Sequence, residues 1–430
     1  MDIEKVIIEN WQCIKYLTIE FEKLMILIGE GNRGKTSTIS AIMASLHCKS
    51  IKESDFYNES LNIVIRLKLK TSRGFVTLKF IKKPDLTEEY YEIYRGNEKK
   101  LLDVEYKKRI EKLKIIKMSS KDIQIKDAFC NIRDLSSVKN EKILKDLNGK
   151  IDFLEKNRAS QSLQRKILFS FFKNILKEIK KENIKNEIYN TILIFEEPEL
   201  HLNPQSSREL YDILIKLSKI GIQIIIETHS SYFVGIKQYK SICLIKKLYG
   251  QVTAFQHTKE LFNGDEIKNF NMNYWINPDR GEIFFAKKVI LVEGQTDKIA
   301  ISFLAKKLGI YKYRYSIIEC GSKSTIPQFI KVLNAYKIAY IAVYDRDNHS
   351  WRNEKELEIS RLKNKKIKKL VNKKIGGYIE FENDIEEEIF NEKRERKNYK
   401  NKPYYTLQEI SKIHYKLSGR LEDKIKKIYE

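Results

Sequence analysis

Residues 24–36 read LMILIGEGNRGKT: an apolar run of buried-strand length, a glycine-rich loop, then lysine and threonine opening a helical run, KTSTISAIMASLH. The loop matches GxxxxGK[ST] between a strand and a helix, the context that gives this motif its meaning. Its glycines let backbone N–H groups close around phosphates at a helix N-terminus. Lys35 would neutralise the terminal phosphates and the Thr36 hydroxyl could ligate Mg²⁺; a plain strand-to-helix turn would not need the lysine. The expectation is ATP held by Gly29, Asn32, Gly34, Lys35, Thr36 and Ser37.

A chain of 430 residues has room for two or three domains, and a hydrophobic fraction of 42% with 11% aromatic residues marks it as globular. No run of eighteen apolar residues occurs, and the N-terminus MDIEKVIIENW alternates like a strand instead of reading as a signal peptide. A soluble, cytoplasmic protein with no membrane partner is expected. Five cysteines without a CxxC pair and six histidines without a zinc-like cluster argue against disulfide and zinc frameworks. With 82 Lys plus Arg against 58 Asp plus Glu, the formal charge of +24 should draw the chain to polyanions, nucleic acid first. Biased codon usage could produce the same Lys, Ile and Asn excess, so the charge needs a chemical partner elsewhere in the sequence.

The order of elements predicts an α/β fold. VIIENWQCIKYLTIEF alternates, and LNIVIRLKLK, FVTLKFIKK and EEYYEIYRG make residues 61–95 a β-rich subregion. Residues 100–157 are Lys-rich and read as a helical insertion. The strands TILIF and IQIII flank a helix, and SICLIKKLYGQVTAFQH reads as a closing hairpin. The pattern then restarts: KVILVEG, a helix, YSIIECG, a helix, AYIAVYDRD, a charged helix over 353–374, GYIEF and a polar helical C-terminus. This predicts a first domain over 1–265, a connector over 266–285 and a second domain over 286–430.

Residues 192–199, ILIFEEPE, place two acids at the tip of a buried strand. Glu196 is the expected metal ligand and Glu197 the residue that orients the attacking water. In IIIETHSS, His229 ends another strand and could sense the terminal phosphate; a lone histidine is more often a satisfied core or surface residue. Together these segments resemble the ATP-binding-cassette family, in its RecF/SMC-like branch, with EEPELHLNPQ similar to a Walker B element and D-loop and THSS to a switch-histidine loop. The resemblance implies ATP between two ATPase heads, hence a homodimer or higher homo-oligomer through this domain. It places the signature loop at residues 159–164, with Ser160 reaching the partner's phosphates; Ser162 stands where that family has glycine, and no Q-loop can be placed.

Residues 290–298, ILVEGQTDK, carry the second site. Glu293 sits at a strand tip, where open α/β sheets gather ligands, and Asp297 follows one helical turn on. Asp345 and Asp347, alternating at the end of IAVYDRD, should project into one pocket. Carboxylates crowded at one edge repel unless divalent cations neutralise them, and oxygen-only ligands favour Mg²⁺ or Mn²⁺. Taken singly, an E-G or a DxD is common at strand ends and helix caps. The ordered set, with residues 320–323 (CGSK) between, resembles the Toprim domain, whose families share metal-assisted chemistry on phosphodiesters.

An ABC-type ATPase joined through FFAKKVILVEGQTD to a Toprim domain resembles the OLD (overcoming lysogenization defect) nuclease family, which includes Gabija-type antiphage nucleases. The resemblance implies an ABC-type head with a helical insertion, then a Rossmann-like Toprim domain with a helical extension. It implies DNA as substrate and a helicase or reverse-transcriptase partner encoded nearby. By the same resemblance, FENDIEEEIF supplies Glu382 and Glu386 as further ligands; read from the residues alone these acids could equally open an exposed helix. The late lysine implied is Lys402, or else Lys400, with Lys323 a third candidate. The function implied is two-metal DNA cleavage at Glu293, Asp345, Asp347 and Asp297 under ATP control, in defence against phage. Two other readings share the motifs: a RecF-like repair ATPase that clamps DNA with an inert Toprim fold, and a topoisomerase-like strand-passage enzyme using a tyrosine nucleophile.

Overall fold

The computed structural model describes residues 1–31, 34–118, 190–200, 202–264, 266, 278–392 and 401–430, with residues 170, 173 and 176 besides. Expectations for Asn32, Ser160, Ser162 and Lys400 lie outside the described residues. The chain divides into two compact units, Met1–Thr258 and Lys259–Glu430, a little ahead of position 265.

In the first unit, period-two patterning builds an antiparallel sheet from β1 (Asp2–Trp11), β2 (Ile14–Glu20), β4 (Ile63–Thr71), β5 (Gly74–Lys82), β6 (Glu88–Tyr94) and β7 (Asn97–Leu101), ordered β2-β1-β4-β5-β6-β7. In β4, Ile63, Ile65, Leu67 and Leu69 are buried while Arg66, Lys68 and Lys70 are not, the alternation expected when one face covers a core. Continuous apolar runs instead build a mostly parallel sheet from β3 (Leu24–Ile28), β8 (Lys114–Met118), β9 (Thr191–Glu196), β10 (Gln223–Glu227), β11 (Ile242–Leu248) and β12 (Gln251–Gln256). Its order is β12-β11-β3-β10-β9-β8, with only the β11–β12 hairpin antiparallel. The two sheets meet through Gln223, whose buried amide accepts from Ile3 N at 2.8 Å and donates to Ile3 O at 2.6 Å. Helix α1 (Lys35–Ser45) follows the glycine loop, α2 (Asp103–Ile110) follows β7, and α3 (Pro204–Lys219) links β9 to β10. Part of the expected insertion at 100–157 is corrected here: residues 114–118 form the edge strand β8, parallel to β9, because alternate residues Ile116 and Met118 are buried against the sheet.

The second unit is a four-stranded parallel sheet of β13 (Lys288–Val292), β14 (Tyr315–Glu319), β15 (Ala339–Asp345) and β16 (Gly376–Phe381), ordered β14-β13-β15-β16. The crossovers are α4 (Gln295–Lys307), α5 (Ile326–Ala335) and α6 (Glu354–Leu370). One face of α5, running on to its C-cap, is buried at the period of a helix, with Phe329, Val332, Leu333 and Tyr336 at most 1% exposed. Helices α7 (Ile385–Phe390), α8 (Lys402–Ile410) and α9 (Gly419–Tyr429) complete the unit. The sequence marks the C-terminus as polar, yet Ile410, Leu421, Ile425 and Ile428 join the core around α4, an amphipathic solution to a short chain end. Because β13 runs out to β14 and the chain returns on the other side as β15, the strand order reverses between β13 and β15, where α/β sheets open a crevice at their carboxyl ends.

Candidate functional site

The glycine-rich loop follows β3 directly. Gly29 has φ +143°, and a Cβ there would stand 2.1 Å from Ile245 O on β11, so glycine is a requirement of the fold at this point. Gly34, at φ +104°, caps α1. The Lys35 side chain is buried and donates to the carbonyls of Gly29 at 3.1 Å and Glu30 at 3.0 Å, which folds its ammonium back over the loop. Burial lowers its pKa, opposed by Glu227, Glu197 and Glu199. Ser37 accepts from the Cys13 thiol at 3.5 Å.

The acids around this loop are arranged differently from expectation. Thr36 and Glu196 were to share one cation; instead the Thr36 hydroxyl donates to Glu227 Oε1 at 2.6 Å, and Glu196 pairs with Lys117 Nζ at 2.9 Å. Glu227 was missed by sequence reasoning. It ends β10 as Glu196 ends β9, and the two are register partners, so an acid terminating an adjacent parallel strand was the available signal. Burial raises the Glu227 pKa, with Glu196 and Glu197 adding repulsion against Thr36 and Lys35, and its Oε2 is buried without a hydrogen bond among the described residues. Glu197 adopts a left-handed φ of 48° and its backbone N–H donates to Glu227 O at 2.7 Å. His229 Nε2 lies 3.9 Å from Glu197 Oε1, and its backbone N–H donates to Glu199 at 2.8 Å. Burial, then Lys35, lowers the His229 pKa.

In the second unit the reversal crevice is lined with acid. Glu293 follows β13, Asp345 ends β15, and Glu293 Oε1 accepts from Asp345 N at 2.9 Å. Asp297 caps α4 by accepting from Gly294 N at 2.9 Å, and Glu386 enters from the first turn of α7. All four pKa values are raised, and in each burial is the largest cause. Asp297 is pushed up to about 7, with Glu293 and Glu386 contributing repulsion. Asp345 is raised well above the ordinary range by burial and then by Asp297, Glu293 and Glu386, and its Oδ1 is buried without a hydrogen bond among the described residues.

Two expected members face other partners. Asp347 does not continue the alternation from Asp345, because its backbone turns left-handed at φ 59°, ending the extended geometry that would aim both carboxylates alike. It accepts from Lys323 Nζ, from Arg352 at 2.7 Å and from Ser360 at 3.0 Å; these cations outweigh its burial and lower its pKa. Glu382 is half-buried and paired with Arg346 at 2.8 Å and Asn348 at 3.1 Å, so it is not brought into the acid set. Lys402 Nζ lies 3.1 Å from Glu386 and 3.6 Å from Asp384. Asp384 and the buried His349, 3.7 Å apart, carried no sequence motif; only the packing of the loop after β15 against α7 unites them.

The donor set is all oxygen, crowded, and contains a buried carboxylate oxygen lacking a hydrogen bond, which is chemistry suited to a hard divalent cation. Among the described residues no group of three or more His, Cys, Asp or Glu side chains stands placed to hold a metal ion, so the acid set would have to draw together around one. No helix among them is long and apolar enough to cross a membrane.

Comparison with known proteins bears on both units. Residues 123–234 match the AAA ATPase domain family, a stretch that includes Glu196, Glu197, Glu227 and His229. The chain is 30% identical over 161 residues to an OLD nuclease of Thermus scotoductus, a match spanning 36% of this chain and 30% of that protein. It is 28% identical over 198 residues to the Old nuclease of Escherichia phage P2, spanning 44% of this chain and 33% of that protein. The aligned portion is thus about a third of the length of these curated relatives. A solved SmcHead bound to the C-winged helix domain of ScpA is similar at a TM-score of 0.44 and 14% identity, over 60% of this chain and 98% of that one. Residues 284–347, which carry Glu293, Asp297, Asp345 and Asp347, match the family described as overcoming lysogenization defect protein-like, TOPRIM domain.

Proposed function

We propose that this protein is an ATP-binding, divalent-metal-dependent DNA endonuclease of the OLD type, nicking or cleaving duplex DNA, and that it acts in defence against phage. The observation that carries the catalytic part is the crowding of Glu293, Asp297, Asp345 and Glu386 at the strand reversal of a TOPRIM-like sheet. Such a set is unstable as bare anions and is relieved by cations. The defence role is supported by the family resemblance alone.

Glu293, Asp345, Asp297 and Glu386 would hold Mg²⁺ or Mn²⁺. When bound, such ions lower the pKa of an attacking water and stabilise the leaving 3′ oxygen. The protein's own contribution begins with orientation: backbone amides engage one oxygen each of Glu293 and Asp297, which holds both side chains at the crevice. Lys402, tethered by Glu386, supplies positive charge where the phosphate becomes more negative. Lys323, tethered by Asp347 and 3.7 Å from Glu293, does so from the loop after β14.

In the first unit, Gly29, Gly34, Lys35 and Thr36 would hold ATP, with Glu196, Glu197 and His229 beside the terminal phosphate. ATP control of cleavage through a homodimer of ATPase units rests on the resemblance described above. The test is plasmid nicking by the full chain with Mg²⁺, with chelator, and with Lys35→Ala and Glu293→Ala. Loss of nicking in chelator and in Glu293→Ala is expected, and a Glu293→Ala protein that cleaves normally rejects this reading.

A further inference from the structure

The outward face of α6 and the turn after it carry the strongest concentration of charge that the proposed chemistry does not use. From residue 359 to residue 379 there is no Asp or Glu, while residues 361–374 include seven lysines and one arginine. All eight are exposed. Arg361, Lys366 and Lys368 pair with Glu354, Glu266 and Glu380. Lys363, Lys365, Lys369, Lys373 and Lys374 are exposed and form no salt bridge among the described residues.

A lysine run on a helix commonly only faces water. Here the opposite face of the helix ties the run to the candidate site. Ser360, Asn364 and Ile367, at i, i+4 and i+7, are buried. Ser360 donates to Asp347 at 3.0 Å and Asn364 donates to Arg346 O at 3.3 Å, so the helix is fastened to the loop that leaves β15 beside Asp345. The seventeen residues of α6 span about 25 Å, roughly seven base-pair steps of a duplex, over which phosphates recur at helix-sized intervals.

We propose that the exposed lysines of α6 and its following turn, Lys363, Lys365, Lys369, Lys373 and Lys374, form the surface that holds the phosphate backbone of duplex DNA leading into the acid crevice. This surface rests on the endonuclease reading for the identity of its partner. A membrane is the poorer fit, because the outward side offers only Ile359 and Leu362 as large apolar groups among the lysines.

The test is a full-length variant with Lys363, Lys365, Lys369, Lys373 and Lys374 all changed to Gln, beside a control with the exposed Lys15, Lys52, Lys108, Lys112 and Lys216 changed to Gln. Binding of a labelled 30-base-pair duplex is followed by anisotropy across a NaCl series with chelator present, so no cleavage is needed for the readout. The α6 variant should lose about tenfold or more in affinity near 100 mM salt, with its log–log salt slope shallower by about 2–4, while the control changes by less than about 1. An unchanged slope in the α6 variant, an equal loss in both variants, or a parent chain that does not bind duplex overturns the surface. Loss of binding to anionic vesicles with DNA affinity intact overturns it in favour of a membrane. If the parent binds DNA through α6 but nicks no plasmid with Mg²⁺, the endonuclease reading fails and the surface stands.

Discussion

The Lys323 ammonium lies against the Asp347 carboxylate and 3.7 Å from Glu293 Oε1, with only 4% of the residue exposed. A lysine this enclosed is retained only where anions compensate its desolvation. It links the loop after β14 to the ends of β13 and β15. Lys323→Met should therefore lower the nicking rate by about 10²-fold. Its stability cost should be small, about 1–2 kcal/mol, because Arg352 and Ser360 still hold Asp347. Single-turnover nicking and urea unfolding separate the two effects, and a rate within threefold of the parent would show that Lys323 is only structural.

Neutralising a repelling carboxylate should have opposite effects on stability and activity. In chelator, Glu293→Gln and Asp345→Asn should each unfold at a higher temperature than the parent, since burial and mutual repulsion raise both pKa values. With Mg²⁺ both should nick at least about 10²-fold more slowly, and Mg²⁺ should raise the parent's Tm more than theirs. Variants that lose stability in chelator would contradict carboxylate crowding at the crevice.

Asp297 predicts a pH dependence. Its folded pKa of about 7 lies above the ordinary 3.8, so between those values the folded state holds a proton that the unfolded state has released. Its contribution to stability is therefore present below pH 4 and lost as pH rises to 7. Metal-free Tm measured from pH 4.5 to 8 should carry this fall, and Asp297→Asn should flatten it. The same slope in parent and variant would assign the effect elsewhere.

For the first unit, the proposed ATP site predicts that Lys35→Met weakens binding of a fluorescent ATP analogue by about 10²-fold or more, since the variant removes a buried ammonium at the glycine loop. Circular dichroism should match the parent. Binding within threefold would mean that the loop is no nucleotide site.

Gly29→Ala tests the fold at the same loop. The new Cβ would meet Ile245 O at 2.1 Å on a backbone with φ +143°, so β3 and β11 must part. A loss of about 3 kcal/mol or more is expected in denaturant unfolding, against a few tenths for Gly31→Ala, where no atom lies within 4 Å.

The strands, the crossover helices and the strand-tip acids Glu196, Glu293 and Asp345 were legible because each depends on local pattern: period two, period 3.6, and a polar residue ending an apolar run. Glu227 was legible in principle, as one more acid at a strand end, but its importance depends on β10 lying beside β9 and on Thr36 reaching it. The partners of Asp347 were not legible. They come from three segments, Lys323 after β14, Arg352 before α6 and Ser360 within it, and the left-handed turn that directs Asp347 toward them has no signature in DRD.

By itself the sequence determined which segments extend, which coil, and which chemistry each strand delivers at its tip, because those follow from neighbours a few residues away. Only the tertiary structure decided which carboxylates share a crevice and which are neutralised by a cation. That division depends on strand order, with β13 beside β15, and on close approach of residues far apart in the chain, such as Glu293 and Asp345, 52 positions apart and joined at 2.9 Å. At that range burial and charge set the pKa, and local sequence does not encode either.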